Sequence, residues 1–191
     1  MTAKIKTENV LLHVCCAPCS CAIIDALLKE GFRPTLFFYN PNIFPRQEYD
    51  KRKASVTAYA IKLDLRVVEA DYDNDVWEER VKGLEDEPER GRRCSHCFDM
   101  RLERTALFAS ENGFLMFATT NGFARWKAID QVNQSGVLAA SRYPGLIFLD
   151  RNWRLGNAQI LANAISKQEN FYSQNYCGCR FSLRKTPARN A

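Results

Sequence analysis

Cysteine is the residue type with the greatest capacity for chemistry in this sequence. The 191 residues include 8 cysteines, and most of them fall into three short groups. These groups are Cys15, Cys16 and Cys19, then Cys94 and Cys97, and finally Cys177 and Cys179. Two cysteines separated by two residues can direct both sulfur atoms at one metal ion, and a glycine between two cysteines allows a tight turn. The pattern predicts metal ligands or redox-active thiols.

The beginning of the sequence determines how these thiols are interpreted. The first residues are polar, and the apolar run at 10–14 is too short for a leader peptide or a membrane span. We therefore expect a cytoplasmic protein without a membrane partner. Because the cytosol keeps thiols reduced, ligands or redox groups are expected rather than structural disulfides.

The number and spacing of the cysteines favour iron–sulfur chemistry over zinc. A structural zinc site takes two closely spaced pairs at modest separation, whereas these groups lie at opposite ends of the chain and exceed one four-cysteine site. A [4Fe–4S] cluster needs four thiolates, which leaves enough for a second metal or a redox-active dithiol. A thioredoxin-like role for Cys94 and Cys97 is less favoured, because their motif follows a long charged loop.

Three further residues are interpreted as structural. Cys21 falls within an apolar helical pattern, and His13 lies in a strand pattern, so both are expected to pack in the core. His96 lies between two predicted ligands and is expected at the surface.

Hydrophobic periodicity predicts one α/β domain over residues 1–191, with 1–8 and 185–191 frayed. Short apolar runs predict strands at 10–14, 35–39, 66–70, 114–120 and 146–149. Helical patterns cover 21–30, 47–63, 97–110, 129–140 and 158–168, with a short helix around Trp77. Strands that alternate with helices indicate a mostly parallel sheet of about five strands flanked by helices.

This topology predicts where the chemistry lies. Segments 15–19, 40–45 and 71–73 each follow a strand directly. Parallel strands end at a common edge, and binding sites of such sheets lie beyond the carboxyl ends. We therefore expect these segments to meet at one metal site.

Charge adds little by itself. The chain carries 27 Lys plus Arg against 22 Asp plus Glu, a net charge of +5. This is compatible with an anionic partner such as RNA, and basic residues crowd the cysteine groups. Charge alone nevertheless favours an ordinary solvated surface.

Five sequence blocks carry a resemblance to a known family. They are HVCCAPC at 13–19, FYNPNI at 38–43, KGLEDEPE at 82–89, RCxxCF at 93–98 and YxQxYCGC at 172–179. Together, and in this order, they resemble the QueH family of epoxyqueuosine reductases from about residue 11 to 182. The resemblance implies an oxidoreductase that removes the epoxide oxygen from epoxyqueuosine in the anticodon loop of tRNA. It further implies a [4Fe–4S] cluster, an adjacent mononuclear iron, an external electron donor and independence from cobalamin.

Within that resemblance, we assign the predicted ligands to two metals. Cys15, Cys16, Cys94 and Cys97 are assigned to the cluster, because adjacent cysteines and a C-x-x-C pair can close around one cube. The catalytic mononuclear iron then draws on Cys19, Cys177 and Cys179, with Asp73 as an oxygen ligand. Two alternatives stay open: a role of Asp73 as a helix cap, and a redox-active pair formed by Cys177 and Cys179.

Aromatic and basic side chains near these motifs suggest contacts with RNA. Tyr172, Tyr176, Trp126 and Trp153 are able to stack on a flipped base, although core packing is the favoured role for each. Arg125, Lys127 and Arg154 are candidates for phosphate contacts by charge.

Two other functions compete with the reductase. A tRNA sulfur-transfer enzyme on a similar sheet would need an ATP-binding loop after the first strand, and the turn Cys-Cys-Ala-Pro-Cys contains no glycine. A non-enzymatic zinc-binding RNA module would differ in its metal content.

Overall fold

The computed structural model describes residues 8–183, and a five-stranded parallel sheet forms its centre. The strands run in the order β3-β2-β1-β4-β5. Their bounds are Glu8–His13 for β1, Phe32–Phe38 for β2, Val67–Glu69 for β3, Met116–Thr119 for β4 and Ile147–Phe148 for β5. The predicted parallel α/β fold is confirmed. The predicted fraying at the two ends lies outside the described residues, except that Glu8 pairs with Phe32 in the sheet.

The central strand β1 explains the continuous apolar runs in the sequence. Leu12 lies between Leu36 on β2 and Ala118 on β4, and all three side chains are buried. Strands covered by helices on both faces need apolar residues at successive positions rather than at alternate ones. The sheet is therefore the layer between two hydrophobic cores.

Six α-helices cover the two faces. They are α1 Ala17–Lys29, α2 Arg46–Lys62, α3 Asn74–Arg80, α4 Arg92–Glu111, α5 Ile129–Ala140 and α6 Ala158–Gln168, followed by a 3-10 turn at Arg180–Ser182. Helix α1 packs against α2 and α6 on one face, and α4 packs against α3 and α5 on the other. Over residues 8–183, no helix combines the length and the apolar character needed to cross a membrane.

Helix α4 begins earlier than the sequence pattern predicts. Gly91 precedes it in an extended conformation, and the Glu87 carboxylate accepts a hydrogen bond from the backbone N–H of Arg92 at 3.0 Å. A carboxylate from five residues upstream thus satisfies a free amide of the first turn. As a result, Cys94 and Cys97 both lie in helical conformation, three residues apart on one face, rather than in a loop.

Gly136 marks the closest approach of helix α5 to the sheet. A Cβ atom at this position would lie 2.4 Å from ring atoms of Phe148 on β5. We expect Gly136→Ala to destabilise the protein by about 1–3 kcal/mol, because the aromatic ring must shift within a packed core. Thermal unfolding of the metal-free protein would show this as a melting temperature lowered by several degrees.

The matched control is Val137→Ala, one residue further along α5, where the side chain is exposed. Its effect should stay within about 0.5 kcal/mol. Equal melting temperatures for Gly136→Ala and Val137→Ala would contradict the packing of α5 on β5.

Candidate metal centre

The first cysteine group lies where the chain order of the strands reverses. Successive strands extend from β1 to β2 and β3 on one side, and β4 returns to pair with β1 on the other. The Sγ atoms of Cys15, Cys16 and Cys19 lie within 4.8 Å of one another at this switch point. Open parallel sheets bind their ligands at such a crevice, so the predicted position at the carboxyl ends of the strands is confirmed.

Backbone and side-chain contacts hold Cys15 in place. Its N–H donates to Thr120 Oγ1 at 3.3 Å, and the Thr120 hydroxyl lies 3.6 Å from Cys15 Sγ. Cys16 Sγ lies 3.7 Å from Cys15 Sγ, directly before the N-terminus of α1. The free amides of a helix N-terminus favour negative charge. The turn after β1 is therefore suited to hold thiolates.

The three thiols share their charge unequally. Hydrogen bonds from Cys16 and Cys19 hold the pKa of Cys15 well below its usual value, against the opposing effect of burial. The same contacts raise the pKa of Cys16 and Cys19. Cys15 is accordingly the first of the three to carry a thiolate.

Three of the four remaining predicted ligands line a neighbouring cavity of about 170 Å³. Cys94, Cys177 and Cys179 line it, and Cys97 is buried in the same hydrophobic cluster as Cys179. Burial raises the pKa of Cys94. A hydrogen bond from Cys179 lowers the pKa of Cys177 despite its burial, and the nearby Lys127 adds to this shift. The structure therefore brings all three sequence groups to one edge of the sheet.

Lys127 is the cation of this cavity that contacts a thiol. Its Nζ donates a hydrogen bond to Cys177 Sγ. Burial alone would lower the pKa of Lys127, but attraction to Cys177 and Cys97 outweighs it and raises that pKa. Lys127 was predicted to contact phosphate, but in the structure its ammonium group contacts a thiol.

The turn at Gly178 is shaped for close packing. Its φ of +123° lies in the region that favours glycine. A Cβ atom there would lie 3.0 Å from Ile43 and 3.3 Å from both Arg52 and Asn42. The Gly178 carbonyl accepts a hydrogen bond from the N–H of Phe44 at 2.9 Å. The third cysteine group is thereby fixed against the loop that follows β2.

Arg52 fastens the same turn from helix α2. It is 2% exposed, and its guanidinium donates to the carbonyls of Cys177 at 3.0 Å and Tyr176 at 3.1 Å. Its Nε donates to Glu48 at 2.7 Å, and Tyr172 donates to the same carboxylate at 2.6 Å. Sequence reasoning missed Arg52, because an arginine in an amphipathic helix is usually exposed.

Two amide side chains near the thiols were missed as well. Gln174 Nε2 donates to Cys16 Sγ at 2.8 Å, which ties the C-terminal segment to the first group. Asn42 is 1% exposed, and among the described residues neither of its amide atoms has a hydrogen-bond partner. Asn42 lies in the sequence block 38–43 and Gln174 in the block 172–179. Membership in these blocks is the signal by which the sequence could have pointed to them.

The structure places Asp73 beside a tyrosine. The Asp73 carboxylate accepts a hydrogen bond from the Tyr39 hydroxyl at 2.9 Å and is not part of the cluster of the first cysteine group. Asp73 occupies the residue before α3, but its side chain makes no capping hydrogen bond. Its role as a metal ligand stays a prediction.

The residues interpreted as structural have that role. Cys21 is fully buried against α6. His13 is also buried, and its Nε2 donates to the Tyr39 carbonyl while Nδ1 accepts from Thr119. Burial is the main cause that lowers the pKa of His13 to about 3, and the positive charge of Arg101 adds to it. The ring is therefore neutral. His96 is exposed.

The favoured core-packing role is wrong for two of the four aromatic candidates. Trp126 is 49% exposed and Tyr172 is 37% exposed. Trp153 packs partly buried against the hydrophobic core, and Tyr176 packs beneath the guanidinium of Arg52 at 5.2 Å.

The chain was compared with known protein families. The profile of the family "Epoxyqueuosine reductase QueH" matches residues 10–185. The chain belongs to this family. The resemblance drawn from the five blocks, and the oxidoreductase class that it implies, are thereby confirmed.

Curated members of the family cover almost the whole chain. The epoxyqueuosine reductase QueH of Acinetobacter baylyi is 49% identical over 95% of this chain and 83% of its own length. The QueH protein of Histophilus somni is 48% identical over 94% of this chain and 74% of its own. That of Thermotoga maritima is 36% identical over 96% and 94%.

Two solved structures share the fold at low sequence identity. A predicted subunit of tRNA methyltransferase from Methanocaldococcus jannaschii has a TM-score of 0.54 at 16% identity, covering 87% of this chain and 93% of that one. The U34-tRNA thiolase NcsA from Methanococcus maripaludis, solved with its [4Fe-4S] cluster, has a TM-score of 0.52 at 11% identity. The match covers 93% of this chain and 63% of the thiolase chain. Both support the parallel α/β fold.

The Arg52 contacts predict that this side chain holds the third cysteine group. Arg52→Gln leaves the Glu48 carboxylate buried without a cation and frees the two carbonyls. We expect a loss of about 3–5 kcal/mol in the free energy of unfolding, as is typical when one partner of a buried ion pair is removed. Denaturant unfolding, with iron analysis of the folded fraction, measures both stability and metal retention.

Arg46→Gln is the control, because Arg46 forms an exposed ion pair with Asp50 on the same helix. Its cost should be about 0–1 kcal/mol. If Arg52→Gln is as stable as Arg46→Gln and retains as much iron, Arg52 does not fasten the turn.

Proposed function

We propose that this protein removes the epoxide oxygen from epoxyqueuosine in tRNA and produces queuosine. The oxygen leaves as water and an alkene remains, so the reaction consumes two electrons and two protons. The observation that carries the proposal is the meeting of three cysteine groups at one sheet edge, in a chain matched to the QueH family from residue 10 to 185.

The residues at this edge fit iron–sulfur chemistry. The donor set consists of thiols, which are the ligands that iron–sulfur clusters take in proteins. Two further features suit bound metal and sulfide. Among residues 8–183, the buried amide of Asn42 beside Gly178 has no hydrogen-bond partner, and buried polar groups normally have one. Gln174 already directs an N–H at Cys16, and such hydrogen bonds to sulfur tune a cluster.

We propose that Cys15, Cys16, Cys94 and Cys97 hold the cluster. Cys19, Cys177 and Cys179, with Asp73, would serve a mononuclear iron. Each metal would then draw ligands from both places where thiols lie together. Cys15, Cys16 and Cys19 form one such place, and Cys94, Cys177 and Cys179 line the cavity that forms the other. A redox-active pair of Cys177 and Cys179 is the alternative.

When bound, the cluster would supply electrons singly and the iron would act as a Lewis acid at the epoxide oxygen. The chain itself provides the surroundings. The Lys127 ammonium holds a positive charge beside Cys177 Sγ, which favours negative charge in the cavity. Phe98 and Trp126 line the same cavity with apolar surface, which limits the access of water. An external donor would reload the site, and a tRNA substrate would place the enzyme in the cytoplasm.

Anaerobically purified protein should convert epoxyqueuosine in tRNA to queuosine when a strong one-electron reductant is supplied. It should contain roughly four to five irons per chain, as one cube plus one extra metal would give. Nucleoside analysis of the tRNA and iron and sulfide determination measure these quantities. Protein that binds zinc alone and leaves epoxyqueuosine unchanged would refute the proposal, and iron without conversion would refute the substrate.

Single cysteine variants test the division of ligands. Cys97→Ala should abolish the visible absorption of the cluster, because a cube then lacks its fourth thiolate. Cys179→Ala should keep that absorption and lose turnover. Cys21→Ala serves as the control, because Cys21 packs against α6 away from the cavity. Loss of cluster absorption in Cys179→Ala, with retention in Cys97→Ala, would reverse the division.

A further inference from the structure

The segment 121–128, between β4 and α5, presents an aromatic surface beside the thiols. Trp126 in this segment is 49% exposed. Its side chain borders the cavity that contains Cys94 and Cys177. It also borders a second groove, of about 500 Å³, that leads to Cys19. Trp126 therefore stands between two approaches to the proposed metal centre.

Two arginines fix the backbone around Trp126. Arg154 donates to the carbonyls of Phe123 at 3.2 Å, Ala124 at 2.5 Å and Lys127 at 2.8 Å. Arg90 donates to the carbonyls of Trp126 at 2.8 Å and Arg125 at 3.1 Å. A segment without regular structure thereby presents its indole ring in a defined position.

Positive charge surrounds the indole. The guanidinium of Arg125 lies 4.2 Å from the centre of the Trp126 ring. Over residues 8–183, no carboxylate forms an ion pair with Arg90, Arg125 or Arg154. Burial, and then the proximity of Arg90, lower the pKa of Arg154. The surface thus carries cationic groups that an anionic partner would neutralise.

The second groove has a neutral polar wall. Gln159, Asn163 and Ser166 line it from helix α6, and Ser173 lines it from the C-terminal segment. Amides and hydroxyls of this kind match the donors and acceptors of bases and ribose hydroxyls. An aromatic ring with cations beside it is the combination that binds single-stranded nucleic acid, and here neutral polar groups line the adjoining groove.

We propose that Trp126 and Arg125 form a stacking platform for a nucleobase of the tRNA anticodon loop next to the modified nucleotide. Arg90 and Arg154 hold the platform rigid and add positive charge toward the phosphates. The inference rests on the proposed function, because it assumes that the substrate arrives as tRNA. It commits to RNA rather than to an electron-donor protein, because a stacking ring beside arginines that have no carboxylate partner within residues 8–183 can recognise a base and its phosphate.

Binding of an anticodon stem–loop RNA to the metal-loaded protein tests the platform without turnover. Trp126→Ala should raise the Kd roughly ten-fold, since stacking on an aromatic side chain contributes about that factor for each base. Trp126→Phe should restore most of the affinity. Arg125→Ala should also weaken binding and make the dependence of affinity on salt shallower.

Two exposed positions away from the site provide controls. Ile61→Ala removes an exposed apolar side chain from α2, and Arg66→Ala removes an exposed arginine near the start of β3, at the opposite edge of the sheet. Both variants should bind the RNA as the unchanged protein does.

An unchanged Kd for both Trp126→Ala and Arg125→Ala would overturn the platform. The variants could also keep the Kd but turn over more slowly with a protein electron donor and at the normal rate with a chemical reductant. That result would overturn the platform too and assign the surface to the donor. Conversion of epoxyqueuosine by the unchanged protein is measured separately. Failure of that reaction with intact, Trp126-dependent RNA binding would refute the proposed function and leave the platform standing.

Discussion

The common edge of the parallel strands is the constraint on which the proposed site depends. Thiols that are far apart in the chain can meet only if the segments carrying them end at the same place. The parallel register provides this, because β1, β2 and β4 run side by side and finish together. Asn40, directly after β2, donates to the carbonyl of Val14 at 2.9 Å and accepts from Arg101 of α4 at 2.6 Å. The loops after two strands and the helix of the second cysteine group are thus joined by hydrogen bonds.

Buried guanidinium groups are the second condition for such a site. Arg52, Arg93 and Arg101 are each 2–3% exposed. A buried charge is costly unless it is paired or hydrogen-bonded. Arg52 donates to two carbonyls and to Glu48, Arg93 donates to two carbonyls, and Arg101 donates to the amide oxygen of Asn40. Their positive charge remains available to groups that become negative nearby. Besides hydrogen bonds from neighbouring thiols, the charge of Arg101 lowers the pKa of both Cys15 and Cys177.

The sequence predicted the frame of this protein well, because hydrophobic runs and helical periodicity are local properties. The bounds of α5 and α6 were predicted without error, and the meeting of the strand ends followed from topology. What it could not reveal depends on contacts between distant residues. The early start of α4 requires the Glu87 carboxylate, and the burial of Arg52 requires carbonyls more than a hundred residues away. The loop of Trp126 is likewise held by Arg154 and Arg90, which donate to its carbonyls from other parts of the chain.

The order in which the chain is made has a consequence for the thiols at Gly178. The last α-helix ends at Gln168, so every strand and α-helix described here precedes Cys177 and Cys179 in the chain. During synthesis, the sheet and the first two cysteine groups can fold while these last two cysteines are still inside the ribosome. Arg52 and Glu48 therefore lack their hydrogen-bond partners in the C-terminal segment until that segment has left the ribosome. Completion of the thiol constellation therefore follows the synthesis of every strand and α-helix described here.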